Sequence, residues 1–238
     1  MTGAIAFDAF HARLGRPERI LVLAPHPDDE TCGCGGLLAM AAAAGVRIDV
    51  VLLTDGTASH RASDSHPPAR LAALRRAEMA RALRRLNCRA RPVRLGLPDG
   101  DCELLSATDL APARRRLERV LRRAAPDLIL APWRRDPHGD HRAGAVIARR
   151  AAVRAAPRAR LAEYDVWTAL TGEPGDQPRP GEVDPVALDV RPVLSAKRRA
   201  LAAHASQLGR RITDDPDGFA FTRAQRRALL SPVERYFL

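Results

Sequence analysis

Two short stretches of the chain hold the side chains best suited to chemistry. The first is Ala24-Pro25-His26-Pro27-Asp28-Asp29-Glu30, which puts an imidazole and three carboxylates side by side. The second is Pro137-His138-Gly139-Asp140-His141. Two imidazoles and a carboxylate make a common catalytic zinc set that keeps one position open for water. A further carboxylate beside such a set can act as a general base. Each residue alone has a plainer reading. Asp28 and Asp29 are good helix caps, and a lone histidine is more often a hydrogen-bonded structural residue than a ligand. The case for chemistry is that both clusters directly follow apolar runs. Which three groups would hold a metal stays open at this level. His26 is a strong candidate, and His138 and His141, three apart, could divide between metal and substrate.

The apolar runs are the elements that must position these groups. Ile20-Leu21-Val22-Leu23-Ala24 reads as a buried strand. Pro25 and Pro27 end it, because proline lacks the donor that a ladder needs. Asp127-Leu128-Ile129-Leu130-Ala131 reads the same way. Further strands are expected over 46–53, 91–97, 164–170 and 186–190. Helices are expected over 4–14, 37–44, 68–86, 109–124, 142–156 and 195–208. Strand–helix–strand units of these lengths imply a parallel sheet with right-handed crossovers. The expected fold is α/β, a Rossmann-like three-layer arrangement with a mostly parallel central sheet and helices on both faces. A single domain over 1–238 is expected. Parallel strands end on one edge, so two clusters more than a hundred residues apart can meet there. Gly33, Gly35 and Gly36 lack dinucleotide-fingerprint spacing and read as a close-packed helix start. Residues 58–68, with His60 and His66, read as a surface loop, and 171–185 as an irregular loop. The tail is expected to pack back through Phe219, Phe221, Tyr236 and Phe237.

The net charge of +11 invites a nucleic-acid reading. Lysine occurs once, at Lys197, and the chain is rich in Arg and Ala. Arginines such as Arg114-Arg115-Arg116 and Arg122-Arg123 lie in helical runs without interleaved aromatics, which fits solvated helix faces better than a stacking platform. No window of about 18 apolar residues is present, so no transmembrane helix is expected. The N-terminus lacks the form of a secretory signal, and a cytoplasmic location is expected. Cys32, Cys34, Cys88 and Cys102 have neither CxxC nor zinc-ribbon spacing and read as small buried residues.

Taken together, the His-Pro-Asp-Asp-Glu and His-x-x-His stretches resemble the LmbE/PIG-L family of metal-dependent deacetylases. Supporting matches are Thr54-Asp55-Gly56, Arg75 with Glu78, Leu95-Gly96-Leu97-Pro98-Asp99-Gly100, and Lys197 followed by His204-Ala205-Ser206-Gln207. They extend the resemblance from about residue 18 to 210. The resemblance implies Zn2+, with Fe2+ able to occupy the same site, held by His26, Asp29 and His141. It implies Asp28 as general base toward the metal-activated water. His138 would stabilise the oxyanion and protonate the leaving amine, and Asp140 would hold His138 in its working state. Arg75 and Asp99 would face the substrate, a small N-acetylated amino sugar or sugar conjugate, with 58–68 and 171–185 at the pocket rim. The resemblance implies no specific nucleic-acid partner and is compatible with a homo-oligomer. Cys32 departs from the apolar residue that many relatives carry there. Two competing readings are a non-haem Fe(II) oxygenase with a 2-His-1-carboxylate site and an arginine-rich nucleic-acid-binding module.

Overall fold

The apolar run after Glu18 is strand β1 (Arg19–Ala24) in the computed structural model, which describes residues 3–238. β1 lies between β2 (Arg47–Thr54) and β4 (Leu128–Pro132), parallel to both. Beyond β2 comes β3 (Val93–Leu97), and beyond β4 comes β5 (Arg160–Tyr164). Two further strands, β6 (Pro185–Asp189) and β7 (Val233–Phe237), complete a seven-stranded sheet of order β3-β2-β1-β4-β5-β7-β6. β7 runs antiparallel to both of its neighbours. The sheet is therefore mostly parallel, with one inserted antiparallel strand.

Side-chain alternation along the strands produces the layers. Ile20, Val22, Ile48, Val50, Leu128 and Leu130 belong to one core. Leu21, Leu23, Val51, Leu53 and Ile129 belong to the other. The first core is roofed by α2 (Asp29–Ala43), α3 (Pro68–Arg85) and α7 (Leu194–Leu201). The second is roofed by α4 (Ala111–Ala124) and α5 (Gly139–Ala155). Short helices α1 (Phe7–Arg13), α6 (Thr168–Thr171) and α8 (Arg223–Leu229) complete the set. The four cysteines are free and buried, and Arg115, Arg116, Arg122 and Arg123 are exposed on α4.

Four elements differ from the sequence reading. The helix expected over 37–44 starts at Asp29, so the glycine run lies inside α2 rather than ahead of it. The strand expected over 164–170 ends at Tyr164, because Asp165 turns the chain and its carboxylate accepts the Ala169 amide at 3.2 Å, at the start of α6. The helix expected over 195–208 breaks after Leu201, and a 3-10 turn follows at Ala205–Leu208. The tail adds a whole strand, β7, whose Tyr236 and Phe237 are buried as expected but whose Glu234 is buried too. The glycine run does pack closely, though against other elements than the acidic turn. A Cβ on Gly36 would overlap Val190, and one on Gly33 would overlap Tyr164.

Candidate active site

β1 and β4 are adjacent, yet the chain leaves them toward opposite sides of the sheet. Open α/β sheets bind ligands outside strand ends at such a switch point. The turn after β1 is tight: the Asp28 amide donates to the His26 carbonyl at 2.9 Å, and α2 starts at Asp29. The Asp29 carboxylate then accepts the His26 amide at 2.8 Å. After β4, Asp136 accepts the His138 amide at 2.9 Å. His138 is the N-cap of α5, and its Nδ1 accepts the Asp140 amide at 3.2 Å. Both sequence clusters are thus fixed by their own backbone contacts, and they face each other.

Asp29 Oδ2 lies 3.1 Å from His26 Nδ1 and 3.1 Å from His141 Nε2. The far nitrogen of each imidazole also faces carboxylate. His26 Nε2 is 3.0 Å from Asp140 and 3.2 Å from Asp99, and His141 Nδ1 is 3.3 Å from Asp136. A ligand nitrogen on one side and an orienting carboxylate on the other is the arrangement that metal-binding histidines adopt. Donor atoms of His26, Asp29 and His141 lie within 4.8 Å of one another, and so do those of His26, His138 and Asp140. In the second set both carboxylate oxygens are taken by backbone amides, whereas Asp29 accepts a backbone amide through Oδ2 alone. Asp140 accepts the Gly100 and Cys102 amides at 2.7 and 2.9 Å, and His138 Nδ1 takes the Asp140 amide. His141 is fully buried, and neither of its nitrogens has a partner in hydrogen-bond geometry among the described residues. Buried orphan donors of that kind call for a ligand, so the first set fits a divalent cation.

The electrostatics agree. Burial alone would lower the His26 pKa, but hydrogen bonds to Asp140, Asp29 and Asp99 outweigh it and hold the imidazole well above its usual range. His141, likewise buried, is raised to about 9 by Asp136 and Asp29. Burial would raise Asp29, yet the two histidines hold it well below the usual carboxylate range. The result is an anionic cage filled by two imidazolium protons. His138 goes the other way, down to about 4, through burial and then the charges of His26 and His141. Burial pushes Asp28 up despite the Arg75 guanidinium 3.1 Å away.

His26, Asp28, Asp29 and His138 line a cavity of about 360 Å³ that also takes in Arg75, Asp99, Ser59 and Gln207, with His141 buried behind Asp29. Arg75 donates to the Gly56 carbonyl at 2.8 Å, and its buried Nε has no partner among the described residues. Asp99 reaches the cavity but is held by the Thr54 hydroxyl at 2.9 Å and the Ala58 amide at 2.6 Å. His60 is buried beside Ser59 without lining the cavity, and His66 lies away from it. The Asp140 carboxylate sits on His26, and Asp140 meets His138 through its amide. Sequence reasoning missed Asp136 and the aromatic residues Trp167, Phe219 and Phe221. Asp136 had a signal, its place two residues before His138 at a strand end. The aromatics had none, since they come together only in space.

Residues 21–152 match the model of the family described as PIG-L: GlcNAc-PI de-N-acetylase. The chain belongs to the PIG-L family. By that membership it is an N-deacetylase, an amide hydrolase. No curated protein matches the sequence. Among solved structures, the chain is similar to the N,N'-diacetylchitobiose deacetylase of Pyrococcus horikoshii, at 22% identity and TM-score 0.66 over 87% of this chain and 82% of that one. It is similar to the conserved protein TT1542 of Thermus thermophilus, at 30% identity and TM-score 0.60 over 80% of each chain. A 4-carboxy-2-hydroxymuconate hydratase from Pseudomonas putida shares the fold at 22% identity and TM-score 0.55 over 79% of each chain. The same fold therefore also carries a different reaction, and the substrate and the individual steps must be argued from the site.

Proposed function

We propose that the chain is a metal-dependent hydrolase that removes an acetyl group from the amide of an N-acetylated amino sugar or sugar conjugate. The observation that carries this reading is the His26–Asp29–His141 set, whose His26 and Asp29 line one cavity together with Asp28 and His138 while His141 lies buried behind them. Two imidazoles and a carboxylate suit Zn2+, and Fe2+ is compatible with the same donors. When bound, such an ion polarises the acyl carbonyl and makes water nucleophilic near neutral pH.

The remaining steps belong to the chain's own residues. Asp28, one residue before the ligand Asp29, takes the proton of the attacking water. The Arg75 guanidinium fixes that carboxylate through Nη2 at 3.1 Å. His138 Nδ1 accepts an amide hydrogen, so the ring's proton is on Nε2. With its pKa near 4, His138 is neutral at pH 7. It then donates from Nε2 to the developing oxyanion, the electrostatic role that preorganised donors fill best. The proton that Asp28 has taken is the one at hand for the departing nitrogen. Asp140 orients His26 and steadies His138 through its amide.

The family description and the chitobiose deacetylase support a sugar substrate, and Arg75, Ser59 and Gln207 supply groups that can bind hydroxyls. We place the activity in one domain of the whole chain. No helix among the described residues is long and apolar enough to cross a membrane. The oxygenase and nucleic-acid readings gain nothing from the family match, and the oxygenase reading, which would use the His26-x-Asp28 spacing, would leave Asp29 and Asp140 without work. The deciding experiment is metal analysis of the purified protein, followed by assay of amine release from N-acetylglucosamine conjugates by the wild type and Asp28→Asn. A metal-loaded Asp28→Asn variant with undiminished turnover would sink the assigned role of Asp28.

A further inference from the structure

Trp167, Phe219 and Phe221 form one wall of the cavity that holds His138. Aromatic residues are only 4% of the chain, so three at one wall is a concentration that composition does not explain. The Trp167 ring centroid is 6.4 Å from that of His138 and 5.9 Å from that of Phe221, nearly parallel to the latter at 23°. Phe219 meets both other rings edge-on, at 5.9 and 4.9 Å.

The wall is built from distant segments, and polar contacts hold it in place. The Phe219 amide donates to the Ser59 carbonyl at 2.7 Å, and the Phe221 amide to the Gln207 carbonyl at 2.8 Å. Nearby, Asp214 and Asp215 accept the Ser65 and Ala62 amides at 2.8 and 3.0 Å. On the other side the Trp167 amide donates to Asp136 at 3.2 Å, the same carboxylate that faces His141.

Two of these rings, Trp167 and Phe219, differ from the aromatics of the core, while Phe221 is buried and backs Trp167. Trp133, Tyr164 and Tyr236 are fully buried, and each polar tip is bonded: to the Asp176 carbonyl, the Leu23 carbonyl and Glu234 respectively. Trp167 and Phe219 stay partly exposed, and Trp167 Nε1 has no partner among the described residues. Aromatic rings with an open face are suited to take a flat apolar group, worth more than its buried area alone.

We propose that this wall binds an aromatic aglycone carried by the amino sugar, on the amine side of the scissile bond. The inference rests on the deacetylase reading above. An acetyl group needs room for one methyl, so a wall of three rings serves the rest of the substrate. Polar groups such as Arg75 and Ser59 then take the sugar, and the rings take its apolar substituent.

The test uses the metal-loaded full-length enzyme with three substrates: N-acetylglucosamine, its phenyl β-glycoside, and N-hexanoylglucosamine. The expected result is a kcat/KM for the phenyl glycoside on the order of 10-fold above the free sugar. Trp167→Ala should bring that ratio toward one, and Trp167→Phe should restore most of it. Equal kcat/KM for the phenyl glycoside and the free sugar overturns the proposal. So does a preference for the hexanoyl substrate, or a ratio that Trp167→Ala leaves unchanged because both substrates lose rate in parallel. If no N-acylated sugar releases an amine, the deacetylase reading itself fails, and binding decides the wall. Phenyl β-D-glucosaminide should then quench the emission that Trp167→Phe lacks, at about a tenth of the concentration that glucosamine needs. Equal binding of the two, or binding of neither, overturns the inference.

Discussion

Two buried clusters of charge lie on either side of the start of α2, and they are built to opposite ends. In the first, Glu234 accepts from Lys197 at 2.8 Å, from the Gly36 and Leu37 amides at 2.6 and 2.9 Å, and from the Tyr236 hydroxyl at 2.8 Å. Lys197 also donates to the Cys32 carbonyl at 2.9 Å. No polar side-chain atom of that cluster is left without a partner. In the second, around Asp29, both His141 nitrogens face carboxylates at 3.1 and 3.3 Å without reaching hydrogen-bond geometry, and Arg75 Nε has no partner, among the described residues. A satisfied buried network rigidifies a fold, whereas an unsatisfied one is costly unless something else completes it. The pair separates a structural cluster from a binding one on physical grounds, without appeal to the motif.

The comparison breaks first at Asp28. If that carboxylate works on substrate, Asp28→Asn should lower kcat by about 10²- to 10⁴-fold, the usual contribution of a positioned general base. Bound metal, measured by elemental analysis, should stay near the wild-type level. Equal activity in the variant would move Asp28 to the structural side. The reverse pattern is expected at Glu234. Glu234→Leu strands the buried Lys197 with one carbonyl and removes an acceptor of two α2 amides, so urea unfolding of the metal-free protein should show a loss of about 3–5 kcal/mol. Metal affinity of the folded fraction should be unaltered. A variant that instead keeps its stability and loses metal would erase the distinction between the clusters.

The same contrast explains what was legible in the sequence. β1 and β4 are continuous apolar runs followed by proline, and their ends hold every group assigned to the metal. Local pattern therefore carried both the strands and the donors to the right edge. β7 was hidden because Glu234 and Arg235 read as surface residues, and Glu234 is buried only through a lysine 37 positions upstream. The break in 195–208 falls at His204, whose buried ring packs beside Thr31 at 3.3 Å, a contact that helical periodicity cannot anticipate. Within the site, the ligand identities came from motif resemblance, whereas the partner of each imidazole came only from geometry. Asp140 follows the pattern of a partner for its neighbour His138, yet its carboxylate reaches His26 across 114 residues of chain. Asp136, unremarked in sequence, meets His141, the His138 amide and the Trp167 amide at once.

Asp136 sharpens the comparison at a smaller scale. Asp136→Asn keeps the size of the side chain and one acceptor, so the fold should survive. It replaces the carboxylate facing His141 Nδ1 with a group that favours the wrong tautomer. Loss of such an orienting carboxylate typically weakens metal binding about 10- to 100-fold. Competition with a calibrated chelator would read that change. An unaltered affinity would reduce Asp136 to a backbone clamp for residues 138 and 167.

The smallest expected effect concerns protons. In the metal-free protein His141 is raised to about 9, and His26 is also held well above its usual range, by the carboxylates around them. Both imidazoles therefore carry a proton at pH 7, and a cation can enter only by displacing them. The sign follows directly. As pH falls the protons compete better and metal affinity drops, and as pH rises affinity increases. Calorimetric titration with Zn2+ in buffers of different ionisation enthalpy should show release of more than one proton per ion at pH 7, and fewer at pH 9. The Glu234 cluster, which has no vacancy to fill, should contribute nothing to this count, so Glu234→Gln should release the same number. Proton release that is absent, or that changes with Glu234 and not with His26, would mean that the cage around Asp29 is another internal ion network, and that the metal binds elsewhere.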